Sequence, residues 1–171
     1  LELIQQYWLY FLVGQYPKGP LGGLALTLIL ASLGLLLSLP LGLVFGLMRV
    51  SPYRWVRLPV TAFIYIVRGT PLLMVVFWAY FFLPSVTGIK TDQFWTMLIA
   101  LVVFDAAYLA EIVRAGILGL PKGQMECARS LGLSYMKAMT SVVLPQALRN
   151  SLPSLVNQFI STIKETSLGY I

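Results

Sequence analysis

The chain has 171 residues, of which 58% are apolar and only 11% charged, with a formal net charge of +6. A water-soluble domain carries about 25% charged residues, so lipid rather than water is the expected solvent. With no histidine and one cysteine, Cys127, the chain holds no disulfide framework and no His/Cys metal site. Its basic residues sit at the ends of apolar runs and not on one polar face, which argues against a nucleic-acid partner.

Residues 1–18 open the chain as an expected outer interfacial helix. Leu1 to Val13 is apolar and aromatic with only Glu2 charged, and it lacks the basic start and cleavage site of a signal peptide. Tyr7, Trp8 and Tyr10 suit headgroup level. The first spanning candidate is Leu21 to Met48, where Ser38, Gly42 and Gly46 recur every four residues and form one small-residue stripe for close helix packing. Arg49, Arg54 and Arg57 follow with no acid among them.

A second span, about Leu58 to Leu83, carries Arg68-Gly69-Thr70-Pro71 near its middle. Proline removes a backbone hydrogen bond and breaks the helix, and Gly69 adds flexibility. A break near the bilayer midplane exposes backbone groups that suit a zwitterionic solute, with Thr70 as a hydroxyl donor. Arg68 is costly in lipid and needs a polar cavity or an acid. A kink held by a permanent ion pair is the competing interpretation.

The third span runs from about Phe94 to Leu118, after a loop carrying only Lys90 and Asp92. Asp105, near its centre, needs a partner. Either it pairs with Arg68 across helices, or it receives the ammonium of a solute. Glu111 and Arg114, three apart on one face, read as a local or inter-subunit ion pair. Residues 119–141 are polar and amphipathic. Gln124 to Leu131 forms a short helix, Gly132 ends it in a left-handed conformation, and Ser134 caps a second helix with Met136, Met139 and Val143 on one face. Such a hairpin is a docking element for a partner.

The fourth apolar run is about Val142 to Ile163. Lys164-Glu165-Thr166-Ser167 then lies about 25–30 Å along a helix begun near Ala147, at ~1.5 Å per residue. That depth suits either solute contact or a polar cap at the outer interface. The chain starts at Leu1 and stops at Ile171 inside an apolar pattern, which reads as a fragment with a further span beyond. One side of the spans collects Arg49, Arg54, Arg57, Arg114, Lys122, Arg129, Lys137 and Arg149, and the other only Lys18 and Lys90. Basic loops stay cytoplasmic, so the N-terminus is expected outside and 119–141 inside. The fold class is an all-α membrane protein, one domain over 1–171, with at least four transmembrane helices and a cytoplasmic hairpin.

The hairpin carries a more specific signal. Glu126-Cys127-Ala128, then Gly132, then Val142-Val143-Leu144-Pro145 resembles the signature of binding-protein-dependent ABC permeases, E-A-A, three residues, G, nine residues, I-x-L-P. Cys127 and Val142 depart from it conservatively. Val67 to Leu72, Ala110 to Ile117, Leu144 to Ala147 and Lys164 to Leu168 look like the polar amino acid uptake branch, with acidic or amide amino acids as solutes. The resemblance covers nearly the whole chain and implies a fifth helix beyond Ile171. It also implies that Gln124, Glu126, Cys127, Ala128, Gly132, Leu133 and Ser134 couple to an ATPase. The implied partners are a dimer of ABC ATPase subunits, a second permease subunit (the same chain or a sister), an external solute-binding protein and the inner membrane. ATP belongs to the ATPase, so no cofactor is expected here. Solute contacts are expected from Arg68, Gly69, Thr70, Asp105, Glu165, Thr166 and Ser167. With Lys164 counted, Arg68 and Lys164 cancel Asp105 and Glu165 in sign, so the charges do not choose a solute.

Two other classes compete. A channel subunit needs no ATPase, but it leaves the 121–145 pattern unexplained. An intramembrane enzyme lacks its residues: there is no histidine, no HExxH, no GxSxG and no pair of aspartates in separate spans.

Overall fold

The structure, a computed structural model, describes residues 2–88 and 92–170. Lys90 and Ile171, and with it the approach to any fifth helix, lie outside the described residues. Eight α-helices follow in order: α1 (Glu2–Val13), α2 (Gly23–Val50), α3 (Arg54–Gly69), α4 (Leu72–Thr87), α5 (Gln93–Leu118), α6 (Gly123–Ser130), α7 (Tyr135–Ala138) and α8 (Leu144–Glu165). A π-helical turn, Met139–Val143, joins α7 to α8, and a 3-10 turn, Thr166–Tyr170, follows α8.

The small-residue stripe of α2 lies against α5. Gly34 faces Leu101, Gly42 faces Leu109 and Gly46 faces Val113, a constant offset of 67 residues, so the two helices run parallel. A Cβ on Gly42 would stand 2.5 Å from that of Leu109, and one on Gly46 2.7 Å from that of Val113. Glycine is needed there because the backbones approach too closely for any side chain. Ser38, fully buried in the same stripe, donates to the Leu35 carbonyl at 3.0 Å. α8 runs the other way: Ser151 reaches the Ile112 carbonyl, while Gln158 and Thr162 meet Asp105 further back along α5. α5 is thus the central helix, with Met97, Leu98, Leu101, Ala107, Leu109 and Ala110 all buried.

Parallel α2 and α5 end on the same side, so the chain must return between them. It does so through α3 and α4, which meet at a bend of 106°. α3 is amphipathic: Val60, Ile64 and Val67, at helical spacing, pack into the core, while Trp55, Leu58 and Tyr65 are exposed. The ends of α2 and α5, the start of α3 and the start of α8 therefore gather at one end, and every basic residue assigned to the cytoplasmic side is carried by these segments or the hairpin between them. We call it the basic end.

Three expectations change. Among the described residues two helices, α2 and α5, are long and apolar enough to cross a membrane, and the bent pair α3–α4 makes a third if it counts as one span. α8 is long enough but too polar to count on composition, for reasons given below. α1, the helix expected at the outer interface, stops at Val13 and not at residue 18. Gly14, at φ +68°, turns the chain, and Val13 accepts from Gly22 across a short bridge between Gly14 and Leu21. Tyr7, Trp8 and Tyr10 are about half exposed. Finally, the second helix of the hairpin does not end before the fourth run. Pro145 has no N–H to donate, so the ladder shifts register, and Leu144 donates to Met139 five residues back. Tyr135 to Glu165 is consequently one continuous helix with a π turn.

Candidate functional site

Charged side chains collect at the basic end around Glu111. Arg114, one turn on, donates from Nε to both carboxylate oxygens at 3.1 and 3.2 Å and from Nη2 at 2.5 Å. This is the local pair the i, i+3 spacing predicts. Arg49, at the end of α2, also donates to Glu111. Arg68, from the end of α3, places Nη1 3.6 Å from the same carboxylate. Arg49 stacks over Tyr65 at 5.3 Å and Arg68 over Tyr108 at 5.1 Å.

Arg68 therefore does not pair with Asp105. The bend at Thr70–Pro71 keeps the end of α3 near the basic end, level with Glu111. That residue lies six positions beyond Asp105, or about 9 Å along the helix. The break itself is where the sequence puts it, with Pro71 as the first residue that cannot continue the ladder. Thr70 is committed locally, its hydroxyl donating to the Ile66 carbonyl at 2.8 Å. Gly69 is an ordinary helix end with open space beside it, so nothing there demands glycine.

Asp105 is fully buried, and its partners come from α8. Gln158 Nε2 donates to Oδ1 at 2.8 Å. The Thr162 hydroxyl lies 3.0–3.1 Å from both carboxylate oxygens and 3.0 Å from the Gln158 carbonyl, with one hydrogen to share among them. Asp105 thus fastens α5 to α8 through neutral donors. Glu165, one turn beyond Thr162, is half-buried, and its Oε2 is enclosed without a partner. Thr166 and Ser167 donate to the Ile163 and Lys164 carbonyls, each at 2.7 Å, and so close the end of α8 in the manner of a cap. Thr166 is buried and Ser167 exposed.

Gln158 and Thr162 did not emerge as partners from the sequence, and neither did a second feature of α8. Asn150, Ser154, Asn157, Ser161 and Lys164 are all exposed and recur at intervals of three and four. They form a polar stripe about 21 Å long at ~1.5 Å per residue. An exposed polar stripe on a helix within lipid is costly unless it faces water or protein. An exposed apolar stripe of Leu152, Val156 and Ile160 lies about 120° round the helix from it, and the buried face with Ser151, Gln158 and Thr162 about 100° round on the other side. α8 is polar on two sides, which is why composition alone does not mark it as a span.

The hairpin has the caps the sequence predicts. Gly132 sits at φ +86°, its N–H donates to the Arg129 carbonyl at 3.0 Å, and Leu133 N–H donates to Ala128 at 3.2 Å. Ser134 accepts from Lys137 N–H at 3.4 Å. The buried face of the second helix differs from the expected one. Ala138, Met139 and Val143 are buried in phase with Tyr135, whereas Met136 lies about 100° round the helix from Tyr135 and is 66% exposed. Tyr135 donates its hydroxyl to the Val50 carbonyl at 3.3 Å, and burial pushes its pKa up, so it stays a neutral donor. Gln146 donates to Gln124 at 3.2 Å and ties the first helix to α8. Ala128 is the buried anchor and Leu133 is half-buried. Gln124, Glu126, Cys127, Gly132 and Ser134 face outward, with Leu131 83% exposed at the tip.

Residues 38–171 match the family described as binding-protein-dependent transport system inner membrane component. The chain is 40% identical over 151 residues to the arginine transport system permease protein ArtQ of Bacillus subtilis, covering 86% of this chain and 68% of that one. It is 38% identical over 149 residues to the probable glutamine ABC transporter permease protein GlnP of the same organism, covering 87% and 68%. It is 44% identical over 152 residues to the inner membrane amino-acid ABC transporter permease protein YhdY of Escherichia coli, covering 88% of this chain but 41% of that one. Among solved structures, an amino acid ABC transporter crystallised with histidines superposes with a TM-score of 0.83 at 34% identity, over 99% of this chain and 74% of that one. The MetNI methionine ABC transporter, at 23% identity and a TM-score of 0.68 over 85% of this chain and 68% of that one, shares the fold.

Proposed function

The chain belongs to the family of binding-protein-dependent transport system inner membrane components, and from that premise we propose that it is the membrane-spanning subunit of an ATP-driven importer for polar L-amino acids. The observation that carries this is the capped hairpin. It runs into α8 as one continuous helix and follows α5 after a short turn, the two helices that Asp105 fastens together, and it presents Leu131, Met136, Glu126 and Cys127 outward at the basic end. A partner ATPase that grips this hairpin moves the helix pair as a body and so alternates the access of a path through the membrane. Coupling falls to Gln124, Glu126, Cys127, Ala128, Gly132, Leu133 and Ser134.

The polar stripe of α8 supplies one wall of that path, and a second permease subunit supplies the other. Glu165 and Ser167 stand toward the outer end of the path, Asp105 and Thr166 lie behind its wall where α5 is fastened to α8, and Arg68, Gly69 and Thr70 are nearer the basic end. An external binding protein delivers the solute, and ATP stays on the partner. The basic end faces the cytoplasm and the N-terminus faces out. The arginine and glutamine named for two relatives support a polar amino acid as the solute, and the motif resemblance leans toward glutamate, aspartate or glutamine.

Uptake of a panel of radiolabelled amino acids by the reconstituted complex tests the proposal. Import of at least one polar amino acid, dependent on ATP and abolished when Gly132 is replaced by valine, is expected. Import of sugars or peptides in its place, or import indifferent to the hairpin, would refute it.

A further inference from the structure

Three guanidiniums, those of Arg49, Arg68 and Arg114, share the single carboxylate of Glu111. Two formal positive charges are left over, and among the described residues no other acid pairs with these arginines. Arg49 is 7% exposed, yet its Nε–H has no acceptor, and the buried Nε–H of Arg68 has none either. Buried charge and buried donors are normally matched, so the cluster is short of an anion. Glu111, though none of the three arginines, also lines an open cavity of about 390 Å³ together with Asn150, Ser151 and Ser154, so a guanidinium must turn past the carboxylate to face that space. That volume is within the range of small-molecule sites.

We propose that this cluster is a carboxylate-binding site, taking the α-carboxylate of the solute at the inner end of the path. Arg49 and Arg114 hold Glu111 directly. Arg68 makes the longest contact, 3.6 Å, and leaves 34% of its side chain exposed, so it is the arginine free to turn toward a guest. A guanidinium fork matches a carboxylate in shape as well as charge. The identity of the guest as a transported amino acid rests on the transport function proposed above; the anion site itself does not.

The test uses the purified permease–ATPase complex in detergent. Its thermal midpoint is followed while sodium acetate, or glycerol 3-phosphate as a stand-in for a lipid headgroup, replaces sodium chloride at constant ionic strength. Acetate raises the midpoint saturably in the wild type. In Arg68→Gln the half-saturating concentration rises by about tenfold, as expected for losing one charge-assisted contact. Arg68→Lys, which keeps the charge but loses the fork, lies between. Equal acetate responses in wild type and Arg68→Gln overturn the proposal, as does no response beyond chloride, or a stronger response to glycerol 3-phosphate, which assigns the cluster to lipid. Acetate binding is read without uptake. A complex that binds acetate but imports no amino acid therefore overturns the transport function alone, and one that imports but ignores acetate overturns the site alone.

Discussion

Two glycines of similar appearance in the sequence have opposite structural weight. Gly42 sits where α2 and α5 touch backbone to backbone, and the Cβ of Leu109 occupies the space that a side chain would need. Gly42→Leu should cost about 3 kcal/mol or more through overpacking, read as a drop in the thermal midpoint of the purified complex or as failure to assemble. Gly69 has open space around its Cα, so Gly69→Ala should shift stability by less than about 0.5 kcal/mol. The four-residue period made the first legible, because close packing is the simplest use of a small-residue stripe. The expected role of Gly69 as a flexible joint was not supported, since the helix is broken by Pro71 and not by the glycine. At Asp105 a buried acid was legible in the sequence, but its partners were not. Neutral Gln158 and Thr162 lie over fifty residues away, and no spacing rule connects them. Thr162→Val should strand part of the carboxylate and cost about 1–3 kcal/mol, whereas Thr162→Ser, which keeps the hydroxyl, should cost clearly less.

Helix caps were readable because they are local. The left-handed turn at Gly132 and the cap at Ser134 each depend on a few consecutive residues, and both stand where the sequence placed them. Gly132→Ala should cost about 1–2 kcal/mol, because an alanine at φ +86° is strained. Gly132→Asn should cost less, since asparagine tolerates that region. On the proposed coupling, ATP-dependent uptake falls in the same order, with ATP hydrolysis by the partner surviving better than transport. Non-local features were harder to read. The π turn arises from a register conflict between a helix arriving from Tyr135 and a proline at 145, and only the continuity of the two helices reveals it. The polar stripe on α8 was present in the sequence at intervals of three and four. It was hidden because the same helix also alternates buried polar and exposed apolar residues, which blurs a simple hydropathy profile.

At the level of the whole molecule, the parallel register of α2 and α5 and the antiparallel run of α8 bring the basic segments to one end without any appeal to charge. The positive-inside rule then gives that end a side of the membrane. Trp55, 92% exposed between Arg54 and Arg57, suits the interface at the same end. Cys127 makes the orientation measurable, because it is the sole cysteine of the chain and is exposed on the hairpin. A membrane-impermeant maleimide should label it in inside-out vesicles and not in intact cells. Labelling should fall when the ATPase subunit is present, if the hairpin is the surface that subunit grips. In a Cys127→Ser background, a cysteine replacing Lys18 should show the reverse accessibility. Labelling of Cys127 from outside would invert the topology, and the hairpin could then meet no cytoplasmic ATPase.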